Sequence, residues 1–232
     1  FIEEEEQILI DIQTLYSKVS GGDRYSNNPS FKEANHLFFK YFKFPEKITN
    51  IVNTNVNDKF GKNILGLHYR GSDKLTDSTQ NPIILSKDEY IIIIEDYIIT
   101  NGIRNIFLAT DSKTILPYIN KLKNKHNLNI IAINNIRFND GESPFKNVKS
   151  DPIKLGIECL IDSLLLSKCN NLILTNSALS TWSKIFNPNL PAYKISYFPF
   201  DWFPISYIEY YKSNNKTIQN ILNKKQKKEE KI

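Results

Sequence analysis

At 232 residues, 41% of them hydrophobic, the chain can hold one large core or one domain with an appendage. The formal charge of +5 is not spread over a basic surface. Lys212 to Ile232 alone holds seven Lys against two Glu, so the remainder is balanced and nucleic-acid binding loses its electrostatic support. No apolar run approaches a membrane span, since Ile91 to Ile99 is interrupted by Glu95 and Asp96.

The two cysteines, Cys159 and Cys169, lie ten apart across a helical pattern. That is roughly 15 Å along a helix, too far for a disulfide. Neither an oxidising compartment nor a cysteine-based metal site is called for. No targeting segment is visible, and because the chain opens at Phe1 and contains no Met, nothing follows from that.

In chain order, Ile8, Ile12, Leu15 and Val19 recur at helical spacing and predict an amphipathic helix that stops at Gly21 and Gly22. A loop over Asp23 to Ser30 leads to a second helix over Phe31 to Phe42. Pro45 opens a third, which runs to about Phe60 and ends at Gly61. None of the three offers catalytic chemistry. His36 reads as an ordinary surface or core histidine.

After Lys62 the pattern turns to strands alternating with helices. Strands are predicted over Asn63–Tyr69, Arg104–Ala109, Leu128–Asn134, Asn171–Leu174 and Ala192–Tyr197. The helices between them are Ser86–Thr100, Ser112–Lys125, Pro152–Ser167 and Ala178–Phe186. Continuous Ile, Leu and Phe strands separated by helices of this length predict an α/β fold with a doubly wound parallel sheet, Rossmann-like and about 150 residues long. The expected division is a helical segment over 1–62, the Rossmann-like domain over 63–205, and a C-terminal helix with a Lys- and Asn-rich tail over 206–232. The last twenty residues, rich in Lys and Asn, read as a frayed helix or a disordered tail.

In open α/β sheets ligands bind outside the carboxyl ends of the strands, so the strand exits are where chemistry is expected. The first exit is His68, Tyr69, Arg70, Gly71, Ser72, Asp73 and Lys74, a cluster with a glycine where a sharp turn is expected. Its arginine can fork onto a phosphate and its lysine adds a second positive charge. The second exit is Thr110 and Asp111, where Asp111 is either a ligand-binding residue or a helix N-cap. At the third, Thr175, Asn176, Ser177, Ala178, Ser180 and Thr181 gather hydroxyls at a helix start, which suits either capping or phosphate binding. Asp162 sits in an otherwise apolar helix. Facing inward it needs donors, and the ring N–H and amino group of guanine supply a matched pair; facing solvent it is ordinary.

The motifs that are missing narrow the chemistry. No Gly-x-Gly-x-x-Gly favours a nicotinamide or flavin enzyme, no P-loop favours an NTPase, and no Gly-x-Ser-x-Gly elbow favours a hydrolase. There is no Asp-x-Asp metal motif either, and Asp140-Gly-Glu142 reads as a turn. A phosphate ligand is then neutralised by Arg70, Lys74 and helix dipoles, with no metal site expected.

Taken together, the three exits resemble the three motifs of the fucosyltransferases that include the α-1,6 (core) and nodulation enzymes. His68 to Lys74 resembles their His-x-Arg-x-x-Asp-Lys motif. Ile106 to Asp111 resembles the second, a strand ending in Ala-Thr-Asp, and Leu172 to Trp182 is similar to the third. The likeness covers about Phe31 to Phe203. It implies the nucleotide-sugar half of a GT-B glycosyltransferase, metal-independent and inverting, with GDP-fucose as donor substrate, no cofactor, and a glycan or other oligosaccharide as acceptor. It places Arg70 at the β-phosphate, His68 and Asp162 at the guanosine end, and Ser177 with Asn176, Ala178 and Ser180 at the phosphates. Ser72, Asp73 and Asp111 join the donor site, and Lys74 lies near the leaving phosphate or the acceptor. Asp77 is the carboxylate nearest the family's proposed base, displaced by about one position. Gly71 stands where many members carry a second Arg, a fork for the pyrophosphate, and its loss implies a difference in affinity or in donor choice. The acceptor side is expected in the first sixty residues. The expected location is cytoplasmic, with the Golgi lumen as the alternative for a piece of a membrane-anchored enzyme. The rival function is a non-catalytic nucleotide-sugar binding module, or transfer of another GDP-sugar.

Overall fold

A computed structural model of the chain describes residues 30–71, 85–142, 151–175, 177–195 and 208–226. Two helices come first, α1 (Phe31–Tyr41) and α2 (Glu46–Lys59). The alternating part then runs β1 (Ile64–Tyr69), α3 (Lys87–Asn101), β2 (Asn105–Thr110), α4 (Leu116–His126), β3 (Asn129–Ile131), α5 (Pro152–Leu166), β4 (Asn171–Leu174), α6 (Ala178–Phe186) and β5 (Ala192–Lys194). A last helix, α7 (Lys216–Gln226), follows. The amphipathic pattern before Asp23 lies outside the described residues. No helix among the described residues is long and apolar enough to cross a membrane.

The helix boundaries follow local chemistry. Ser30 with Glu33, and Ser86 with Glu89, form reciprocal capping boxes at the starts of α1 and α3. Asp151 caps α5 by accepting from Ile153 N–H, and Pro152 occupies the first turn, where a missing N–H costs nothing. Gly102, at φ 61°, ends α3 in the left-handed conformation that glycine adopts without a Cβ penalty.

All five strands are parallel, in the order β3-β2-β1-β4-β5. This is the doubly wound order, with the direction of winding reversing between β1 and β4. β1 is the central strand and every residue in it is buried. Its side chains alternate between two cores. Leu65, Leu67 and Tyr69 face α3 and α4, while Ile64 packs with α1, α2, α5 and α6. The helices before residue 63 therefore share the core of one sheet face, through Phe31, Ala34, Ile48 and Val52.

Gly66 falls on the α5 side of β1. A Cβ built there would lie 3.0 Å from Leu166 Cδ2 and 3.1 Å from Cys169 Sγ, so the glycine sets how closely the end of α5 approaches the sheet. Cys159 and Cys169 are both free thiols, the first exposed and the second buried.

Over its described residues the C-terminal helix α7 is anchored and not frayed. Ile218 and Leu222, one turn apart, are buried against the α3 face, and Asn215 caps the helix by accepting from Thr217 N–H at 2.9 Å. Ahead of α7, Tyr211 and Ser213 both donate to Asp96 Oδ2 at 2.7 Å. Lysine content hid a two-residue apolar anchor.

Replacing Gly66 by Val is expected to destabilise the fold by about 1–3 kcal/mol, since the added methyl groups meet a packed layer. Thermal denaturation checks this, and an unchanged Tm would mean that α5 has room to move.

Candidate nucleotide-sugar site

Register brings the strand exits level. Tyr69 pairs with Thr110, and His68 pairs with Ala109 on one side and Leu174 on the other. The residues after β1, β2 and β4 therefore meet at one end of the sheet. The meeting point includes the gap between β1 and β4 where the winding reverses, the ligand crevice of open α/β sheets.

Two threonines pin the end of β1 from either side. Thr110 donates to the Tyr69 carbonyl at 2.8 Å and accepts from Ser112 N–H. Thr175 donates to the His68 carbonyl at 3.1 Å and accepts the Arg70 N–H at 3.0 Å. The last β1 peptides are thus held by side chains where the ladder runs out.

Arg70 emerges from this braced end. Its Nη1 donates to Asp111 Oδ2, while Asp111 Oδ1 accepts the Gly71 N–H at 3.0 Å. Both side chains of the ion pair are only 17% exposed, so solvent screens the pair weakly. The two possibilities for Asp111 are resolved to this extent: its carboxylate binds the turn after β1 and does not cap α4, whose N-cap is Ile115.

Gly71 is needed for a different reason than the sharp turn expected of it. Among the described glycines, positive φ occurs at Gly102 and Gly141. At Gly71 the constraint is space, because a Cβ would lie 2.8 Å from Ser112 Cβ and 2.9 Å from the Tyr69 ring. A second arginine cannot be placed here without separating β1 from the β2 exit.

His68 is buried on the α5 and α6 side. Its Nδ1 shares a hydrogen bond with Ser180 Oγ. Burial, and then the positive charge of Arg70, push its pKa down to about 3, so the imidazole is neutral at physiological pH. Ser177 caps α6 by accepting from Leu179 N–H at 3.3 Å, and Thr181 donates to the Ser177 carbonyl at 3.5 Å. Each of the four hydroxyls at this exit thus has a partner within the protein. The group this turn offers an anion is the N-terminus of α6, beginning at Ala178, with its helix dipole.

Asp162 faces inward from α5. Asn135 donates to its Oδ2 at 2.8 Å, and its buried Oδ1 has no partner among the described residues. Burial raises its pKa to about 7 despite the Asn135 bond and the nearby Arg137, with Glu158 adding to the rise. Asn135 and Arg137 escaped the reading of the sequence. The signal was there: polar residues follow β3 as they follow the other strands. Arg137 Nη2 donates to the Ile133 carbonyl at 2.8 Å, and Glu158 accepts the Ile136 N–H at 3.0 Å. The fourth strand exit is therefore tied to the helix that carries Asp162.

Asp140-Gly-Glu142 is the turn it was read as, with Gly141 at φ 83° and Asn139 N–H donating to Glu142. Asp140 also accepts from Thr114 and Lys87, bracing the β2 exit against the start of α3. Among the described residues no group of three His, Cys, Asp or Glu is arranged to hold a metal ion. Ser72, Asp73, Lys74, Asp77 and Asn176 lie outside the described residues.

The fold defines a class: a doubly wound, Rossmann-like α/β domain, with a guanidinium, a neutral histidine and a helix N-terminus among the residues at its strand exits. No protein-family model matches the sequence, and no curated protein sequence matches it. Among solved structures the chain is similar to POFUT1 in complex with GDP-fucose, at 13% identity and TM-score 0.48, over 73% of this chain and 51% of that one. It is also similar to the fucosyltransferase NodZ from Bradyrhizobium, at 22% identity and TM-score 0.45, over 67% and 47%. NodZ α-1,6-fucosyltransferase soaked with GDP-fucose aligns at 19% identity and TM-score 0.45, over 79% and 60%. The chain spans about half the length of these structures.

The buried Asp162 makes stability depend on pH. Its folded pKa of about 7 lies above the value of about 3.9 for a free Asp, so between those limits the folded state binds the extra proton. Its contribution to stability is expected to fall as pH rises from about 4 to about 7, by at most about 1.4 kcal/mol per unit, and to stay level above. Asp162→Asn removes that slope and is expected to be more stable than the parent at pH 8. Urea unfolding of both proteins across this range decides, and parallel curves would refute it.

Proposed function

We propose that this chain is the donor-binding part of a metal-independent, inverting glycosyltransferase that moves fucose from GDP-fucose to a glycan hydroxyl. The observation that supports the reading is that β1, β2 and β4 end level, with the His68–Ser180 pair and the N-terminus of α6 at the β1/β4 gap and the Arg70 guanidinium beside it at the β2 exit, held by Asp111. A diphosphate needs fixed positive charge and backbone donors within its reach, and neighbouring strand exits supply one each. In this reading Arg70 and Lys74 take the β-phosphate side, and the α6 turn with Asn176, Ser177 and Ala178 takes the phosphates. Ser72 and Asp73 extend the donor site.

Asp162 is assigned to the base. Its orphan oxygen needs a donor, and guanine presents two adjacent donors, the ring N–H and the amino group. Adenine and uracil do not present that pair. His68 is assigned to the guanosine end as a neutral hydrogen-bonding group.

The chemistry follows from the charges. The acceptor hydroxyl oxygen attacks the anomeric carbon from the face opposite GDP, and a carboxylate, assigned to Asp77, takes its proton. The bond from that carbon to the β-phosphate oxygen breaks and its electron pair leaves with GDP. Arg70 and the helix terminus stabilise the charge that grows on the phosphate, which lowers the barrier because that charge is larger in the transition state than in bound donor.

Calorimetry against GDP-fucose, GDP-mannose and a UDP-sugar tests the donor assignment. The two GDP-sugars are expected to bind and the UDP-sugar to fail, and equal affinity for all three would remove Asp162 from base recognition. Turnover of GDP-fucose is expected to drop by at least about a hundredfold in Arg70→Ala, the scale set by losing a charge-stabilising donor. Near-parental turnover would refute the role of Arg70.

A further inference from the structure

We propose that Asp111 is a positioning residue, one carboxylate that sets the guanidinium of Arg70 and the backbone turn at Gly71 as a single unit, so that Arg70 meets a diphosphate already aligned. The inference rests on the reading of the crevice as a GDP-sugar site, and it moves Asp111 from touching the donor to acting through Arg70.

The geometry divides the two oxygens between two tasks. Oδ2 receives Arg70 Nη1 and Oδ1 receives the Gly71 N–H at 3.0 Å. Asp111 is itself immobilised, because its carbonyl accepts the Phe138 N–H at 2.7 Å and the next residue, Ser112, is fully buried beneath Gly71. The carboxylate is thus fixed to β2 and transmits that fixed position to the exit of β1. An unheld arginine loses side-chain rotamer freedom when it grips a ligand, and a guanidinium already held by one edge has lost much of it beforehand.

Charge argues for the same assignment. A carboxylate set directly against a diphosphate would repel it, at a cost that grows as water is excluded. With its charge paired to Arg70 in a site 17% exposed, Asp111 aligns the cation while the pair as a whole stays near neutral. The diphosphate then completes a carboxylate, guanidinium and phosphate series in which the arginine lies between the two anions.

Asp111→Asn tests this. The amide oxygen can still accept the Gly71 N–H, but its NH₂ offers a donor where Arg70 needs an acceptor. GDP affinity by calorimetry is expected to fall by about tenfold or more, the scale of a hydrogen bond to a charged group. In an Arg70→Ala background the same replacement is expected to change GDP affinity little, since the two residues act as one. Losses that add in the double variant would instead put Asp111 in direct contact with donor and overturn the proposal.

A second measurement needs no ligand. The Arg70 guanidinium N–H signals in NMR are expected to show hindered rotation in the parent protein and free rotation in Asp111→Asn. Equal rotation in both would overturn the proposal by itself. If the parent bound no GDP while the Arg70 signals changed as stated, the GDP-sugar reading would fail and the positioning by Asp111 would stand.

Discussion

The site depends on how closely the exits of β1 and β2 approach each other. Gly71 lies against Ser112 with no room for a Cβ, and that contact lets one carboxylate, Asp111, reach both the backbone and the side chain that leave β1. Because β1 is central and buried along its whole length, a shift there displaces β2 and β4 together. A larger side chain at position 71 would force that junction apart and take Arg70 away from the carboxylate that holds it.

Electrostatics divide the crevice into two ends. Around Arg70 the polar groups are paired and the nearby imidazole is neutral, so positive charge is concentrated on one guanidinium and a helix terminus. Around Asp162 a carboxyl is kept in an apolar helix with one oxygen served by Asn135 and the other unserved. A buried polar atom without a partner costs roughly 1–3 kcal/mol, which a fold retains at a point of use more readily than elsewhere. The two ends therefore differ in what they offer: one has fixed positive charge, the other an acceptor that wants a donor.

Much of the alternating architecture was legible in the chain. β4 and α6 begin and end where the sequence pattern put them, and β1, β2, α3 and α5 differ by a residue or so, because long apolar runs and strong caps such as Ser86 and Asp151 act locally. β3 came out at three residues, Asn129–Ile131, since only its start pairs with β2 and the rest, through Asn135 and Arg137, bonds to α5 and to its own carbonyls. α4 begins at Leu116 and not at Ser112, because Ser112 and Thr114 are engaged with each other and with Asp140. The hydroxyl cluster after β4 was visible, but its use was not: Thr175 and Ser180 turned out to serve β1.

What the sequence determined by itself is the order of strands and helices, their parallel layering, and the polar character of each strand exit, all of which rest on periodicities and caps within a few residues. Only the tertiary structure decided who faces whom. Arg70 and Asp111 are 41 residues apart and His68 and Ser180 are 112 apart, and their pairing follows from strand order and register. Those are properties of the whole sheet, chosen by which arrangement buries both faces at once, and no local window of sequence contains them.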